Sequence, residues 1–421
     1  MAARILIAVW LVLVALMAPK LAHAQRIGET KAAGGGVEYT LLGSYSLSQL
    51  QRFITTDSAI FLQDGGSRFP STYFPNRMRV IPRNDVALYR ISYNTAIPEQ
   101  EDQSTRSTGL IAIPVVRGAQ RFPLISYQHG AVFDRNAVPS KVLQNPSIDE
   151  TKLILAGFAA QGYVVIAADY VGLADSDAAN TFFLKDTAAR STLDMYFASQ
   201  QVLTALKRSS TRLFLHGWSQ GGYNTLLLLK ELERRGVKVN GASTAAAPTD
   251  LRGWIHRLIK SPAPSDASGL IAAVSNLIMA ADSYTLPGLA EQAIKPDYLA
   301  WARQFYAFET DFMTFSQNVP RSFVEFLNAD FVASAKLGES DFWRTLDANS
   351  NYRWSMSTPL RNYYGESDEV VPAAVAMLPA RVASLYGTQT TAVSAGAMAD
   401  HRGTFLFSVA DAVAWHKQLP L

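Results

Sequence analysis

Between residues 123 and 232 short apolar runs alternate with longer stretches of helical period, and that alternation leaves few folds open. Residues 123–127 (PLISY), 163–168 (YVVIAA) and 212–215 (RLFL) are too short for helices and apolar on both faces. Buried parallel strands produce such runs. Residues 150–161 carry Leu153, Leu155 and Phe158 at helical spacing, and 186–206 carry Leu193, Met195, Tyr196 and Leu203. Strand, helix, strand, helix at this spacing predicts a parallel sheet with right-handed crossovers.

Two alternating segments, 86–93 and 109–116, read as half-buried strands ahead of that unit. After residues 240–248 the alternation stops. Residues 250–354 hold no convincing strand but have helical character at 270–279, 298–308 and 323–332, with an aromatic-rich middle. Strand-like sequence returns at 359–364 and 388–393 around a helix at 373–386, and a last helix is expected over 403–417. The expected organisation is a core of residues 78–249 and 355–421, a mostly parallel sheet flanked by helices, interrupted by a helical cap at 250–354. Residues 25–77, broken by Gly34-Gly35-Gly36, read as an N-terminal extension of weak order with one helix near 46–55.

The first 24 residues read as a secretory signal peptide. Arg4 supplies the positive start, residues 5–17 are unbroken apolar sequence, and Ala22-His23-Ala24 is a small-x-small cleavage site before Gln25. A membrane anchor is the alternative, but Pro19 and Lys20 interrupt the run too early for a span of about 20 residues. Secretion or a periplasmic location is therefore expected, with no stable membrane anchor after cleavage. The chain has no cysteine, which excludes a lipoprotein anchor, disulfides and thiolate chemistry. The net charge is only +3, and Arg4 and Lys20 belong to the leader, so nucleic acid is not an expected partner.

Gly217-Trp218-Ser219-Gln220-Gly221 fits G-x-S-x-G directly after a buried-strand run and directly before a helical run at 223–232. A serine on such a turn is lifted above the sheet edge as a nucleophile; a helix-capping serine is the plainer alternative. Serine needs a base to take its proton. Of the six histidines, His23 leaves with the leader. His129 and His216 end buried strands, and His256 begins the insertion. In the order Ser, acid, His, only His401 and His416 remain. His416 sits in the terminal helix as an expected surface residue. His401 lies between the last strand and the last helix, where a triad base belongs.

The orienting acid should follow the preceding strand, and Gly365-Glu-Ser-Asp368-Glu-Val-Val-Pro372 offers Asp368, with Glu366, Glu369 and Asp400 as rivals. Two backbone N–H groups should receive an oxyanion: that of Gln220, and that of Ala131 in the Gln128-His129-Gly130-Ala131 loop. An ordinary flexible β–α turn is the alternative for that loop. Asp169-Tyr170-Val-Gly-Leu173 ends another strand at the same edge, either lining a cleft or only turning the chain.

Taken together, Tyr127-Gln-His-Gly130, Ala168-Asp-Tyr-Val-Gly-Leu173, Gly217-Trp-Ser-Gln-Gly-Gly222, the Gly365–Pro372 segment and Asp400-His401 resemble the secretory lipase and esterase branch of the α/β-hydrolases, over residues 105–417. The resemblance implies an α/β-hydrolase fold with a helical cap. It also implies hydrolysis of a small-molecule or lipid carboxylic ester through an acyl-enzyme, with no metal or other cofactor. One departure is Asn180-Thr-Phe-Phe-Leu184 in place of a His-Pro-Tyr-like step, so acyl preference does not carry over. A serine exopeptidase would use the same triad and needs an acidic anchor in the cap, for which Glu291 and Asp297 are available. An inactive hydrolase-fold binding protein is the third reading.

Overall fold

The computed structural model describes residues 25–73, 76, 81–337 and 340–420. The leader expected at 1–24 lies outside them. Among the described residues ten strands form one sheet in the order β1-β2-β3-β4-β6-β5-β7-β8-β9-β10. They are β1 (Thr30–Gly34), β2 (Val37–Tyr45), β3 (Val86–Ile97), β4 (Gln103–Pro114), β5 (Arg121–Gln128), β6 (Val164–Ala168), β7 (Ser209–Trp218), β8 (Gly241–Ala245), β9 (Leu360–Tyr364) and β10 (Thr390–Ser394). From β6 to β10 every neighbour is parallel; from β1 to β4, and between β4 and β6, every neighbour is antiparallel. The division follows the sequence. Strands β5, β6 and β8 are buried along nearly their whole length, as two-sided helix cover requires, while β2 and β3 alternate.

Residues 25–73 are not a weakly ordered extension. Gly35 and Gly36, at φ 58° and 78°, are the two-residue turn of a hairpin that adds β1 and β2 to the sheet edge. Positive φ at both central residues is what a type I′ hairpin turn demands. The chain then forms α1 (Leu47–Arg52), one π-helical turn at Phe53–Asp57, and α2 (Ser58–Asp64). Phe53, Ile54, Phe61 and Leu62 are buried in the same core as β5, β7 and the C-terminal helix. The glycine triplet that reads as a break is therefore a strand connection.

Helices α3 (Asp149–Gly157), α4 (Lys185–Ala205) and α5 (Gln220–Arg234) are the crossovers. The helical insertion begins at α6 (Leu251–Lys260), continues through α7 (Leu270–Tyr284) and α8 (Pro296–Tyr306), and ends in short helices whose last residue is Asn349. Asn351 N–H donates to Thr249 O at 3.0 Å and its side chain to Tyr223 O at 2.7 Å, so the chain leaves the cap beside the point where it enters. The cap core runs without a break into Phe182, Phe183, Tyr223 and Leu227 of the sheet layer. No helix among the described residues is long and apolar enough to cross a membrane.

The last helix, α9 (His401–His416), ends on a residue expected at the surface. His416 is instead fully buried, stacked on Phe214 with ring centres 4.2 Å apart, and neither ring nitrogen meets a protein partner. Burial, with His216, Arg212 and Arg361 nearby, holds its pKa well below the ordinary histidine value. The unfolded chain takes up this proton below about pH 6.5 and the folded chain does not, so the residue costs stability as pH falls. His416→Phe should stabilise the fold by about 1–3 kcal/mol, the cost of an unpaired buried polar group. The gain should grow by up to about 1.4 kcal/mol per pH unit below that point. Chemical denaturation of both proteins at pH 8 and pH 5 checks the magnitude and the sign.

Candidate active site

Ser219 joins β7 to α5 at φ 56° and ψ −125°, a conformation side-chain-bearing residues rarely adopt. Close packing holds it there. A Cβ on Gly217 would lie 2.3 Å from Gly221 O, and one on Gly221 would lie 1.9 Å from Gln128 O. Only glycine fits at either position. Ser219 N–H donates to Ala245 O at 2.8 Å, tying the turn to β8. The hydroxyl makes no capping hydrogen bond to α5, contrary to the helix-cap alternative.

His401 is the first residue of α9 and is held at several points. Its Nδ1 lies 3.1 Å from each oxygen of Asp368. Its backbone N–H donates to Glu369 Oε2 at 3.0 Å. Its carbonyl accepts the Trp218 indole N–H at 3.1 Å, and the two rings are 4.9 Å apart. Asp368 in turn accepts Val370 N–H at 2.9 Å and Val371 N–H at 2.8 Å, which fixes its carboxylate. The rival acids have other partners. Asp400 caps α9 through Gly403 N–H and also accepts Arg68 N–H; Glu366 accepts from Ser394 Oγ.

Burial alone would lower the pKa of His401. The carboxylate of Asp368, aided by Glu369 and Asp400, outweighs that and raises it above the ordinary histidine value. With Nδ1 donating to Asp368, Nε2 is left as the acceptor, the tautomer a base toward serine needs.

The loop after β5 is fixed from below. Gly130 N–H donates to Glu150 Oε1 at 2.8 Å, and Tyr127 OH donates to the same oxygen at 2.5 Å. Burial pushes Glu150 up to about 7 against those two donors and the charges of His401 and Arg402. No motif marks Glu150; its position on the first turn of α3, facing a strand-end tyrosine, was the available signal. Tyr170, at φ 70°, stacks on His129 at 4.2 Å and donates to His129 O at 2.9 Å. Asp169 accepts Thr108 Oγ1 at 2.6 Å and Ser140 N–H at 2.9 Å. The Asp169–Leu173 segment therefore supports this loop. His129 has Nδ1 2.8 Å from Gly130 O and Nε2 3.4 Å from Asp169 O, and with its pKa lowered to about 4 by burial the neutral ring donates to one of these carbonyls; His216 meets Ser243 and Ser408 with its two nitrogens.

Ser219, His401 and Ala131 line one cavity of about 200 Å³, at the carboxyl ends of the parallel strands. Gln220 follows Ser219 as the first residue of α5. No hydrogen bond joins the side chains of Ser219 and His401 as they stand; in such sites it often tightens only with substrate bound. Phe133, Phe182, Phe183, Trp254 and Leu270 supply apolar walls. The two candidate anchors lie elsewhere: Glu291 is ion-paired with Arg303 at the surface, and Asp297 is exposed at the start of α8. Titrating the His401 ring by NMR should give a pKa above the free-histidine value of about 6.5, and Asp368→Asn should move it down.

Comparison with known proteins agrees with this architecture. The prolyl oligopeptidase family model matches residues 149–252. No curated protein sequence matches the chain. Among solved structures, a Legionella pneumophila protein described as a hydrolase superposes with a TM-score of 0.77 at 23% identity, covering 90% of this chain and 96% of its own. The rice cell wall degrading esterase LipA of Xanthomonas oryzae gives 0.72 at 19% identity, covering 93% and 98%. Candida antarctica lipase A in its closed state gives 0.62 at 14% identity, covering 90% and 81%. At these identities the likeness is one of fold, and that fold is the α/β-hydrolase fold.

Proposed function

We propose that this α/β-hydrolase-fold chain is an exported serine hydrolase of carboxylic esters, with Ser219 as nucleophile, His401 as general base and Asp368 as the orienting acid. The observation that carries the reading is the Asp368–His401 pair at 3.1 Å, opening on the cavity that Ser219 lines. Ser219 Oγ attacks the ester carbonyl while His401 Nε2 takes its proton. The N–H groups of Ala131 and Gln220 receive the charge that develops on oxygen. The imidazolium then returns the proton to the leaving alcohol, and water repeats the sequence on the acyl-enzyme. The substrate is a small-molecule or lipid ester, and the chemistry calls on no metal or other cofactor.

A serine exopeptidase is the second reading, favoured by the family model at 149–252. The apolar walls weigh against it. So does the engagement of Glu369, the carboxylate beside the cavity, with the His401 N–H. Ser219→Ala should reduce ester turnover by roughly 10³-fold or more, leaving only what binding and the oxyanion donors supply. Near wild-type hydrolysis of a p-nitrophenyl ester by this variant would end the reading. Parallel assays on an ester and on an aminoacyl amide with the same leaving group decide between esterase and exopeptidase. Failure of an active-site phosphonate to label Ser219 would revive the inactive binding protein.

A further inference from the structure

The walls of the cavity are fixed by contacts on both sides. Phe182 and Phe183 meet edge to face with ring centres 4.7 Å apart, and Phe183 packs on Tyr223 at 5.1 Å and on Trp254 at 6.1 Å. Phe183 has left-handed backbone at φ 57°, a strained state for a bulky residue that persists only where its surroundings over-determine it. They do so here from both sides. Thr181 donates its N–H and its hydroxyl to Val171 O. From the cap, Tyr284 OH donates to Ala179 O at 2.8 Å and Tyr306 OH to Asn180 O at 2.6 Å. The opposite wall is pinned as well. The Trp254 indole N–H reaches Val370 O at 2.8 Å, and Ala267 N–H reaches Glu369 O at 3.0 Å, so the cap is tied to the loop that carries Asp368.

A cavity of about 200 Å³ bounded this way has little freedom to lengthen. An apolar cavity of about 150 Å³ binds the six carbons of benzene, which scales to roughly eight carbons here. The group that occupies the site through both half-reactions is the one bonded to Ser219. Resting on the ester hydrolase reading, we infer that the enzyme takes esters of compact apolar acids, with acyl groups of about eight carbons or fewer. Phe182 and Phe183 are the residues that set the limit, and long-chain lipids are excluded.

The test is the acyl-length profile of p-nitrophenyl acetate, butanoate, hexanoate, octanoate and dodecanoate with wild type, Phe182→Ala and Phe182→Leu. In wild type kcat/KM should rise by up to about fourfold per methylene, the factor that full burial of one CH₂ supplies. It should then fall at least tenfold between octanoate and dodecanoate. Phe182→Ala should restore dodecanoate at least tenfold relative to octanoate. Phe182→Leu, which keeps an apolar filler should alanine fail to fold, should move the limit in the same direction. Equal turnover of octanoate and dodecanoate by wild type overturns the inference, as does a folded Phe182 variant with the wild-type limit. In either case phosphonate labelling of Ser219 and turnover of the acetate would leave the ester hydrolase reading standing. No labelling and no turnover of any ester would remove both.

Discussion

The close packing of backbone around Ser219 is the constraint from which the site follows. The β7–α5 turn can adopt its strained form only because the missing Cβ of Gly221 lets α5 approach the end of β5 and the missing Cβ of Gly217 lets β7 pack against α5. That approach does two things at once. It presents the serine hydroxyl at the strand ends, and it presses the start of α5 against Gln128 and His129 at the end of β5. A strained φ costs of order 1–3 kcal/mol, which the surrounding hydrogen bonds and buried strands must supply. The parallel half of the sheet provides that rigidity, because β5 and β7 are bonded on both edges.

The second half of the site is held by a part of the chain with no chemistry of its own. Phe61 of α2 packs against Trp218 at 5.9 Å and against Phe405 at 5.4 Å. Arg402 lies over the Phe61 ring and donates to the Phe61 carbonyl, and Arg68 N–H reaches Asp400. The loop that delivers His401 is thus clamped between the N-terminal helices and the Ser219 turn. Trp218 links the two, since the residue beside the serine also holds the histidine carbonyl. Losing residues 47–68 would therefore free the loop carrying His401 rather than trim a tail.

What could be read from the sequence divides along physical lines. The buried strands and their helices were legible because two-sided burial leaves apolar runs of strand length. Asp368 and His401 were legible because each follows a strand end, where chain order and spacing limit the choices; the structure brings the pair together, engages Glu366 and Asp400 elsewhere, and gives Glu369 only the backbone N–H of His401. The hairpin of β1 and β2 was missed because Gly34-Gly35-Gly36 resembles a flexible break, although two glycines between alternating segments also signal a tight turn. His416 was misplaced because a polar residue near a helix end is normally exposed, whereas here a groove beside Phe214 and Tyr163 receives its ring. Glu150 was missed because no motif marks it and its role depends on Tyr127 and Gly130, which the fold brings to it.

The cap belongs to the same argument. Its helices share a core with Phe182, Phe183, Tyr223 and Leu227, so it is not an independent layer resting on the sheet. Its two ends are bonded to each other at Thr249 and Asn351, and it is tied at Val370 and Glu369 to the acid loop and at Ala179 and Asn180 to the loop before α4. A cap fastened at these points is held in place over the strand ends. The cap also contacts the Asp368 loop directly, because Val370, whose carbonyl receives the Trp254 indole N–H, also donates its N–H to Asp368. The contacts that hold the Trp254 wall of the cavity and those that orient the His401 imidazole therefore share the Asp368–Val371 backbone.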